Sequence, residues 1–273
     1  MSTITNLRAD GVQPPRRSRL YWAFADGLVL AKRNLVQIPR IPELLVFATI
    51  QPVMFVLLFR YVFGGAIDVG GTSYVNFLMA GIFVQTVAFG SMTTGIGLAE
   101  DLHKGLVDRF RSLPMARSAV LTGRTIADLV RNVFVVAVML AVGLLVGFRP
   151  EAGVRDWVAT IGLLLLLSFA FSWIGATIGL MVRSVEAVQS AGFIWLFPLT
   201  FASSAFVRTE DMPSWLQTFA DHQPMTQVID AVRGFLLDQP VGSHGWQALA
   251  WCSGILLIFV PLSVSLYRRT TAR

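Results

Sequence analysis

Charge is scarce in this chain. Aspartate, glutamate, lysine and arginine make up 14% of its 273 residues, against about 25% in an ordinary soluble domain. With 55% hydrophobic residues and a mean hydropathy of +0.65, there is no room for a large soluble enzyme domain, and the chain reads as a polytopic membrane protein. Cysteine is nearly missing too. Cys252 alone, inside a hydrophobic run, excludes an intramolecular disulfide and a thiolate metal cluster, and suits a small apolar packing residue. The sequence contains no Gly-Lys dipeptide. It therefore lacks the G-x-x-x-x-G-K-[ST] cradle for nucleotide phosphates, and standard P-loop hydrolysis of ATP is excluded. His103, His222 and His244 fall in different loops without metal-ligand spacing, and nothing marks a nucleophile elbow. Residues 1–19 are polar, with Pro14, Pro15, Arg16, Arg17 and Arg19, and no apolar core of a cleavable signal follows directly. Residues 1–18 are expected to persist as a mobile cytoplasmic tail.

What is present is a series of apolar runs. A helix needs about 20 mostly apolar residues to cross the hydrocarbon core, and six stretches qualify: about 44–63, 75–99, 119–148, 157–182, 187–207 and 246–267. The expected fold is an all-α integral membrane protein of six transmembrane helices. In the first stretch Arg60 can snorkel to the interface, and Gln51-Pro52 should bend the helix. Lysine and arginine fix the orientation. Segment 1–43 carries seven, loop 100–118 four, turn 183–186 one and tail 268–273 three, whereas the alternate loops 64–74, 149–156 and 208–245 carry zero, two and two. Fifteen against four puts both termini in the cytoplasm. The net charge of +6 is thus a topology signal, with no basic face gathered for nucleic acid.

Three segments outside these runs have their own character. Leu20, Tyr21, Phe24, Leu28, Ala31 and Leu35 recur at helical spacing. They predict an amphipathic helix over 19–38 on the inner membrane surface, ended by Pro39 and Pro42. In loop 100–118, Leu102, Leu106 and Phe110 form one helical stripe among charges, and Pro114 stops it. By itself this pattern suits a solvated helix shielding the bundle end. In 208–245, Val228, Ile229, Val232, Phe235 and Leu236 form an apolar stripe, with Asp230 and Arg233 three apart on the polar side. Pro213-Ser214-Trp215-Leu216 precedes it, and Trp215 suits a lipid interface. One or two short helices dipping into the outer leaflet are expected.

Mechanism by ion coupling finds little support, because carboxylates at mid-membrane depth are few. Asp128 and Arg131, near the cytoplasmic end of the third run, can pair on one helix face. No polar cluster marks a binding site. Gly143-x-x-x-Gly147 and Gly175-x-x-x-Gly179 would allow close helix approach within the bundle.

The run Gly105-Leu106-Val107-Asp108-Arg109-Phe110-Arg111-Ser112-Leu113-Pro114-Met115 resembles the cytoplasmic signature of type 2 ABC exporter permeases, and more narrowly the daunorubicin/doxorubicin-resistance permease branch. Gly123-Arg124-Thr125-Ile126-Ala127-Asp128, Arg131-Asn132, Gly147-Phe148-Arg149, Phe197-Pro198-Leu199-Thr200-Phe201, Ser204-Ala205-Phe206-Val207 and Met212-Pro213-Ser214-Trp215-Leu216 are similar to that branch as well, in order along the chain. One departure is Asp221-His222-Gln223-Pro224, where asparagine is expected before the proline.

The resemblance implies a six-span permease paired with a second permease copy, identical or homologous, and with two copies of a separate ATP-binding subunit. ATP and magnesium would sit on that partner, with no cofactor held by this chain. The 100–114 region would be the coupling helix seated in a groove of the ATPase. Leu102, Leu106 and Phe110 would fill the groove, and Asp108, Arg109 and Arg111 would set register. The outer half-helices over 208–240, with Trp215, Leu216, Asp230 and Arg233, would gate the exit. The implied activity is export of an amphipathic drug or secondary metabolite, doxorubicin-like, across the cytoplasmic membrane. Export of a lipid or lipid-linked glycan is the alternative. A non-transporting scaffold would tolerate a scrambled 100–114 segment, and an ion-driven carrier would work without ATP.

Overall fold

A computed structural model of the chain describes residues 42–67, 69, 72–103, 117–182 and 184–270. The tail 1–18, the surface helix expected over 19–38, most of loop 100–118 and residues 271–273 lie outside the described residues. Every regular element among the described residues is a helix. In chain order these are α1 (Pro42–Leu58), α2 (Tyr74–His103), α3 (Arg117–Leu145), α4 (Val154–Met181), α5 (Val185–Phe201), α6 (Ser214–His222), α7 (Pro224–Leu236) and α8 (His244–Thr270). A π-helical turn, Phe59–Phe63, extends α1, and a 3-10 turn, Thr209–Asp211, precedes α6.

Each of the six apolar runs is helical. Tyr74–His103, Leu121–Leu145, Val154–Met181 and His244–Tyr267 are long and apolar enough to cross a membrane, while Ala48–Phe63 and Val185–Phe201 are shorter apolar helices. Pro52 sits inside α1 without ending it. The irregularity comes later, at the π turn around Arg60. The fifth run stops sooner than its composition suggests. Hydrophobicity continues to Val207, yet α5 ends at Phe201, and residues 202–207 turn back over the bundle. Composition cannot register that stop, because the turn is itself buried: Ser203, Ser204, Ala205 and Phe206 are all closed off from solvent.

α2 is the central helix, packed by α1, α3, α4, α5 and α7. Its tightest neighbour is α4, where the small-residue pattern works as expected. A Cβ at Gly179 would overlap the Gly95 backbone, and one at Gly95 would overlap the Gly175 carbonyl, so these glycines let two backbones touch. The other glycine pair divides its roles. Gly143 seats the Met79 side chain, but Gly147 lies past the end of α3 with φ +102°. There the Phe148 N–H donates to the Gly143 carbonyl at 2.8 Å, the closing bond of a helix C-terminal turn that favours glycine. Cys252 is fully buried in the main hydrophobic core.

The loops alternate between two ends. At one end, Asn76 exchanges hydrogen bonds with the Arg149 backbone at 2.9 and 3.4 Å. There too the Glu151 N–H donates to the Leu236 carbonyl at 2.9 Å and Tyr74 Oη to the Phe206 carbonyl at 3.1 Å. These contacts gather 72–76, 146–153 and 202–243, the loops poor in lysine and arginine. At the other end a smaller cluster joins Leu98, Leu121, Leu180 and Tyr267.

Candidate functional site

Two polar constellations stand out. The first is built around α6 and α7. The expected apolar stripe is real: Val228, Ile229, Val232 and Leu236 are fully buried, with Phe235 packed against the core. Gln223 starts α7, ahead of Pro224 at the first helical position, a place proline suits. Its Oε1 accepts from the Met225 N–H at 3.2 Å, and its Nε2 donates to the Leu199 and Ala202 carbonyls at 2.7 and 3.0 Å. Those carbonyls belong to the C-terminal turn of α5, whose last carbonyls lack helical donors. One side chain thus begins α7 and closes α5, which explains why the fifth apolar helix stops where it does.

Asp230 and Arg233 were expected on the polar side of α7. They are instead drawn into the bundle. Arg233, with its side chain 11% exposed, donates through Nη1 to Asp230 Oδ1 at 2.5 Å and through Nη2 to the Ser204 carbonyl at 2.6 Å. Its guanidinium lies 3.7 Å from the Phe77 ring centroid, within cation–π range. Asp230 Oδ1 also accepts from Ser204 Oγ at 2.7 Å. Burial lowers the Arg233 pKa to about 10, with Asp230 pulling the other way, so the group stays charged at neutral pH. The pair ties α7 to the first turn of α2 and to the 202–207 turn. Trp215 and Leu216 stand apart on α6, where Trp215 is 73% exposed and Leu216 half-buried.

An aromatic ladder climbs toward the 202–207 turn. Phe59 stacks on Phe206 at 4.3 Å and on Phe55 at 6.0 Å, and Phe201 contacts Phe206 at 5.3 Å and Phe197 at 4.3 Å. Residues in α1, α5 and the buried turn share it. Stacked and tilted ring pairs at these separations are favourable beyond their buried area. Phenylalanine in a membrane chain is too common for its sequence positions to reveal such a ladder.

The second constellation surrounds a cavity of about 180 Å³ between α1, α2, α3 and α5. Phe55, the foot of the ladder, lines it together with Gln51, Gln85, Thr86, Arg131, Asn132 and Gln189. Gln85-Thr86 and Arg131-Asn132 are neighbours in sequence, but the four helices that meet at the cavity are far apart along the chain, so the sequence marks no polar cluster there. The expected Asp128–Arg131 pair is also weaker than its spacing suggests. The two are 3.8 Å apart, because each has better partners across the helix interface. Asp128 accepts from Thr93 Oγ1 at 3.2 Å and from Thr94 Oγ1. Arg131 Nη2 donates to the Gly90 carbonyl at 2.5 Å. Asn132 Nδ2 donates to Ser168 Oγ at 2.7 Å, linking α3 to α4.

At the opposite end of the bundle, Leu102 in the last turn of α2 packs against the cluster of Leu98, Leu121 and Tyr267. Beside it, Arg124 Nη1 donates to Asp101 Oδ2 at 2.9 Å. Gly97 makes room for the guanidinium, since a Cβ there would overlap it. Leu106, Asp108, Arg109, Phe110 and Arg111, the other expected coupling residues, lie outside the described residues.

Comparison with known proteins gives these constellations a context. The chain is similar to the daunorubicin resistance ABC transporter permease protein DrrB1 of Streptomyces coeruleorubidus, with 35% identity covering 98% of this chain and 94% of that protein. It is 28% identical to the probable doxorubicin resistance ABC transporter permease protein DrrC of Mycobacterium tuberculosis, over 90% of both chains. A putative transport permease, ycf38, of Cyanophora paradoxa is 25% identical over 84% of this chain. A sequence model described as ABC-2 type transporter matches residues 27–237. On that match, and on the near-complete overlap with DrrB1, this chain is a membrane-embedded, multi-pass permease of the ABC-2 type transporter family.

Proposed function

We propose that this chain is the membrane permease of an ATP-driven exporter that moves doxorubicin-like amphipathic drugs or secondary metabolites out across the cytoplasmic membrane. The observation that carries the reading is the near-full-length similarity to a daunorubicin resistance permease. ATP and Mg²⁺ bind a separate ATP-binding subunit, present in two copies, and this chain contributes no nucleotide site of its own. Six crossings, with both termini in the cytoplasm, are supported by the distribution of lysine and arginine over alternate loops.

A second permease copy completes the path. Gln51 on α1 and Gln189 on α5 are exposed and line the cavity. Amides facing lipid are costly, which favours their being covered by a partner. A cavity of about 180 Å³ is also below the roughly 300–1,000 Å³ usual for a drug-sized ligand, as a half-site would be. Substrate would enter beside these glutamines and leave along the aromatic ladder, past the outer helices α6 and α7. Leu102, Leu106, Asp108, Arg109, Phe110 and Arg111 transmit closure of the ATPase, and Asp101–Arg124 braces the helix hairpin that carries them.

The test uses inside-out vesicles holding this chain and the ATPase encoded beside its gene, assembled and hydrolysing ATP. ATP-dependent accumulation of doxorubicin is expected, and none with an ATPase-dead partner. Asp108→Ala or Phe110→Ala should abolish it while the permease still reaches the membrane; normal export in both variants would sink the coupling assignment. A complex that hydrolyses ATP yet accumulates no drug would overturn the drug reading in favour of a lipid or lipid-linked glycan.

A further inference from the structure

Arg60 is a cation without a counter-ion. Arg124, Arg131 and Arg233 each donate to a carboxylate or a backbone carbonyl. Arg60 makes no hydrogen bond or ion pair with any described residue. Its Nε is closed off by packing, so an anion would have to meet the two terminal nitrogens of this half-buried side chain. Beside it stands Tyr61, exposed, with its ring centroid 5.9 Å from the guanidinium carbon. The Tyr61 hydroxyl also has no partner among the described residues. Both belong to the π turn Phe59–Phe63, a rare form that recurs at functional sites.

The surroundings of this turn are those of a lipid boundary. It lies at the end of the bundle whose loops are poor in lysine and arginine, because Phe59 stacks on Phe206, whose carbonyl accepts from Tyr74. Val46, Ile50, Met54, Leu57 and Tyr61 are exposed and follow one another at helical spacing. They form an apolar stripe about 22 Å long on α1, and Arg60 flanks its end. Nine residues beyond Gln51, Arg60 points about half a turn away from the glutamine at the cavity. Trp215 and Trp246, exposed at the same end of the bundle, suit headgroup depth. A guanidinium at such a boundary is costly unless an anion meets it. The C-terminal dipole of α1 favours a cation here but provides no counter-ion.

We infer that Arg60 and Tyr61 form a seat for the phosphate of an anionic phospholipid. Two N–H groups of the guanidinium grip two phosphate oxygens, the fork geometry that suits arginine, while the Tyr61 hydroxyl donates to the same headgroup and the acyl chains lie along the α1 stripe. A seated lipid steadies the π turn, and with it the Phe59 ring that joins the ladder at Phe206. The leaflet that supplies the lipid is the outer one, which rests on the orientation proposed above; the seat itself depends on neither the orientation nor the cargo.

The test is lipid retention by the purified full-length permease in a non-ionic detergent. Native mass spectrometry counts bound lipid as phosphatidylglycerol, or phosphatidylcholine with the same acyl chains, is titrated in. One phosphatidylglycerol per permease should be held about fivefold more tightly than phosphatidylcholine. Arg60→Gln should weaken that lipid about tenfold and Tyr61→Phe, which keeps the ring, about threefold. Arg155, exposed at the start of α4 at the same end, is the control, and Arg155→Gln should change nothing. Millimolar inorganic phosphate should not displace the lipid, since a free ion gains nothing from the apolar stripe.

Equal retention of the two lipids would overturn the proposal, as would full retention in Arg60→Gln or an equal loss in Arg155→Gln. Displacement by inorganic phosphate would make this an anion site and remove the lipid. Asp68 is the nearest carboxylate in sequence, and tighter lipid binding in Asp68→Asn would mean that it already occupies Arg60. The leaflet is read separately. Val62 is exposed in the same turn and Cys252 is buried, so Val62→Cys should react with a membrane-impermeant maleimide from outside intact cells. Reaction from the cytoplasmic side alone would overturn the orientation and leave the seat standing; reaction from outside without Arg60-dependent lipid would do the reverse.

Discussion

Asp128-Leu129-Val130-Arg131 on α3 and Asp230-Ala231-Val232-Arg233 on α7 have the same spacing, the same order and nearly the same chemistry. Their fates differ. In α7 the charges meet at 2.5 Å, and the guanidinium is further held by the Ser204 carbonyl and the Phe77 ring. In α3 the charges stand 3.8 Å apart, and each turns to α2 for its bonds, Asp128 to two threonine hydroxyls and Arg131 to a backbone carbonyl. An i, i+3 spacing makes pairing possible; what the neighbouring helix offers decides whether the pair closes. The α7 pair is closed and serves as a lock between elements. The α3 pair is open, and its arginine lines a cavity. In one permease the same four-residue pattern yields a closed clasp and an open pair.

Truncating one member of each pair should separate the two roles most sharply. Arg233→Ala leaves Asp230 partly buried without its cation, a change expected to cost about 3–5 kcal/mol. Thermal unfolding of the purified permease should show a large drop, with part of it recovered in the Asp230→Ala/Arg233→Ala double variant. Asp128→Ala should cost less, about 1–3 kcal/mol, since the threonines it releases can bond helix carbonyls, as Thr93 already does to Gly90 at 2.7 Å. Equal losses at both sites would erase the distinction between clasp and open pair.

Exchange for lysine gives a finer cut. A lysine at 233 keeps the charge but loses the planar face over Phe77 and the fork that spans Asp230 and Ser204. A loss of about 1–2 kcal/mol is expected from these combined. At 131 the strongest recorded bond is to one carbonyl, which an ammonium can also make, so Arg131→Lys should cost less than about 1 kcal/mol of stability. If Arg131→Lys proves the more damaging of the two, the inner arginine is more firmly locked than its geometry suggests.

The contrast also explains what could be read from the sequence. The apolar runs were legible because a long hydrophobic segment has few alternatives to a helix. The α7 stripe was legible because Val228, Ile229, Val232 and Leu236 repeat at the period of the face they bury. Gly175 and Gly179 were readable for the same reason, while Gly147 was misread because its helix ends before it, at Leu145. The cavity was not legible. Gln51, Gln85, Arg131 and Gln189 come from four helices far apart in sequence. Periodicity reports on one helix at a time, and convergence between helices leaves no trace in it. Arg233 was assigned to a polar face because its own helix is amphipathic; that Phe77 and Ser204 would receive it depends on residues about 156 and 29 positions away.

The smallest expected effect tests whether the outer end depends on its charged clasp alone. Gln223 joins α5 to α7 without any charge, through two bonds to α5 carbonyls and one to the first turn of α7. Asparagine is the better helix N-cap, so Gln223→Asn should preserve or strengthen the start of α7. Being one methylene shorter, it cannot also reach the Leu199 carbonyl, which now accepts at 2.7 Å. The gain at one helix and the loss at the other nearly offset, leaving a net destabilisation of no more than about 0.5 kcal/mol. The same substitution in an Arg233→Lys background should cost more than it does alone, because both links hold the 202–207 turn against α2 and α7. Strict additivity of the two, measured by thermal unfolding, would mean that the amide and the arginine act on separate parts of the outer end.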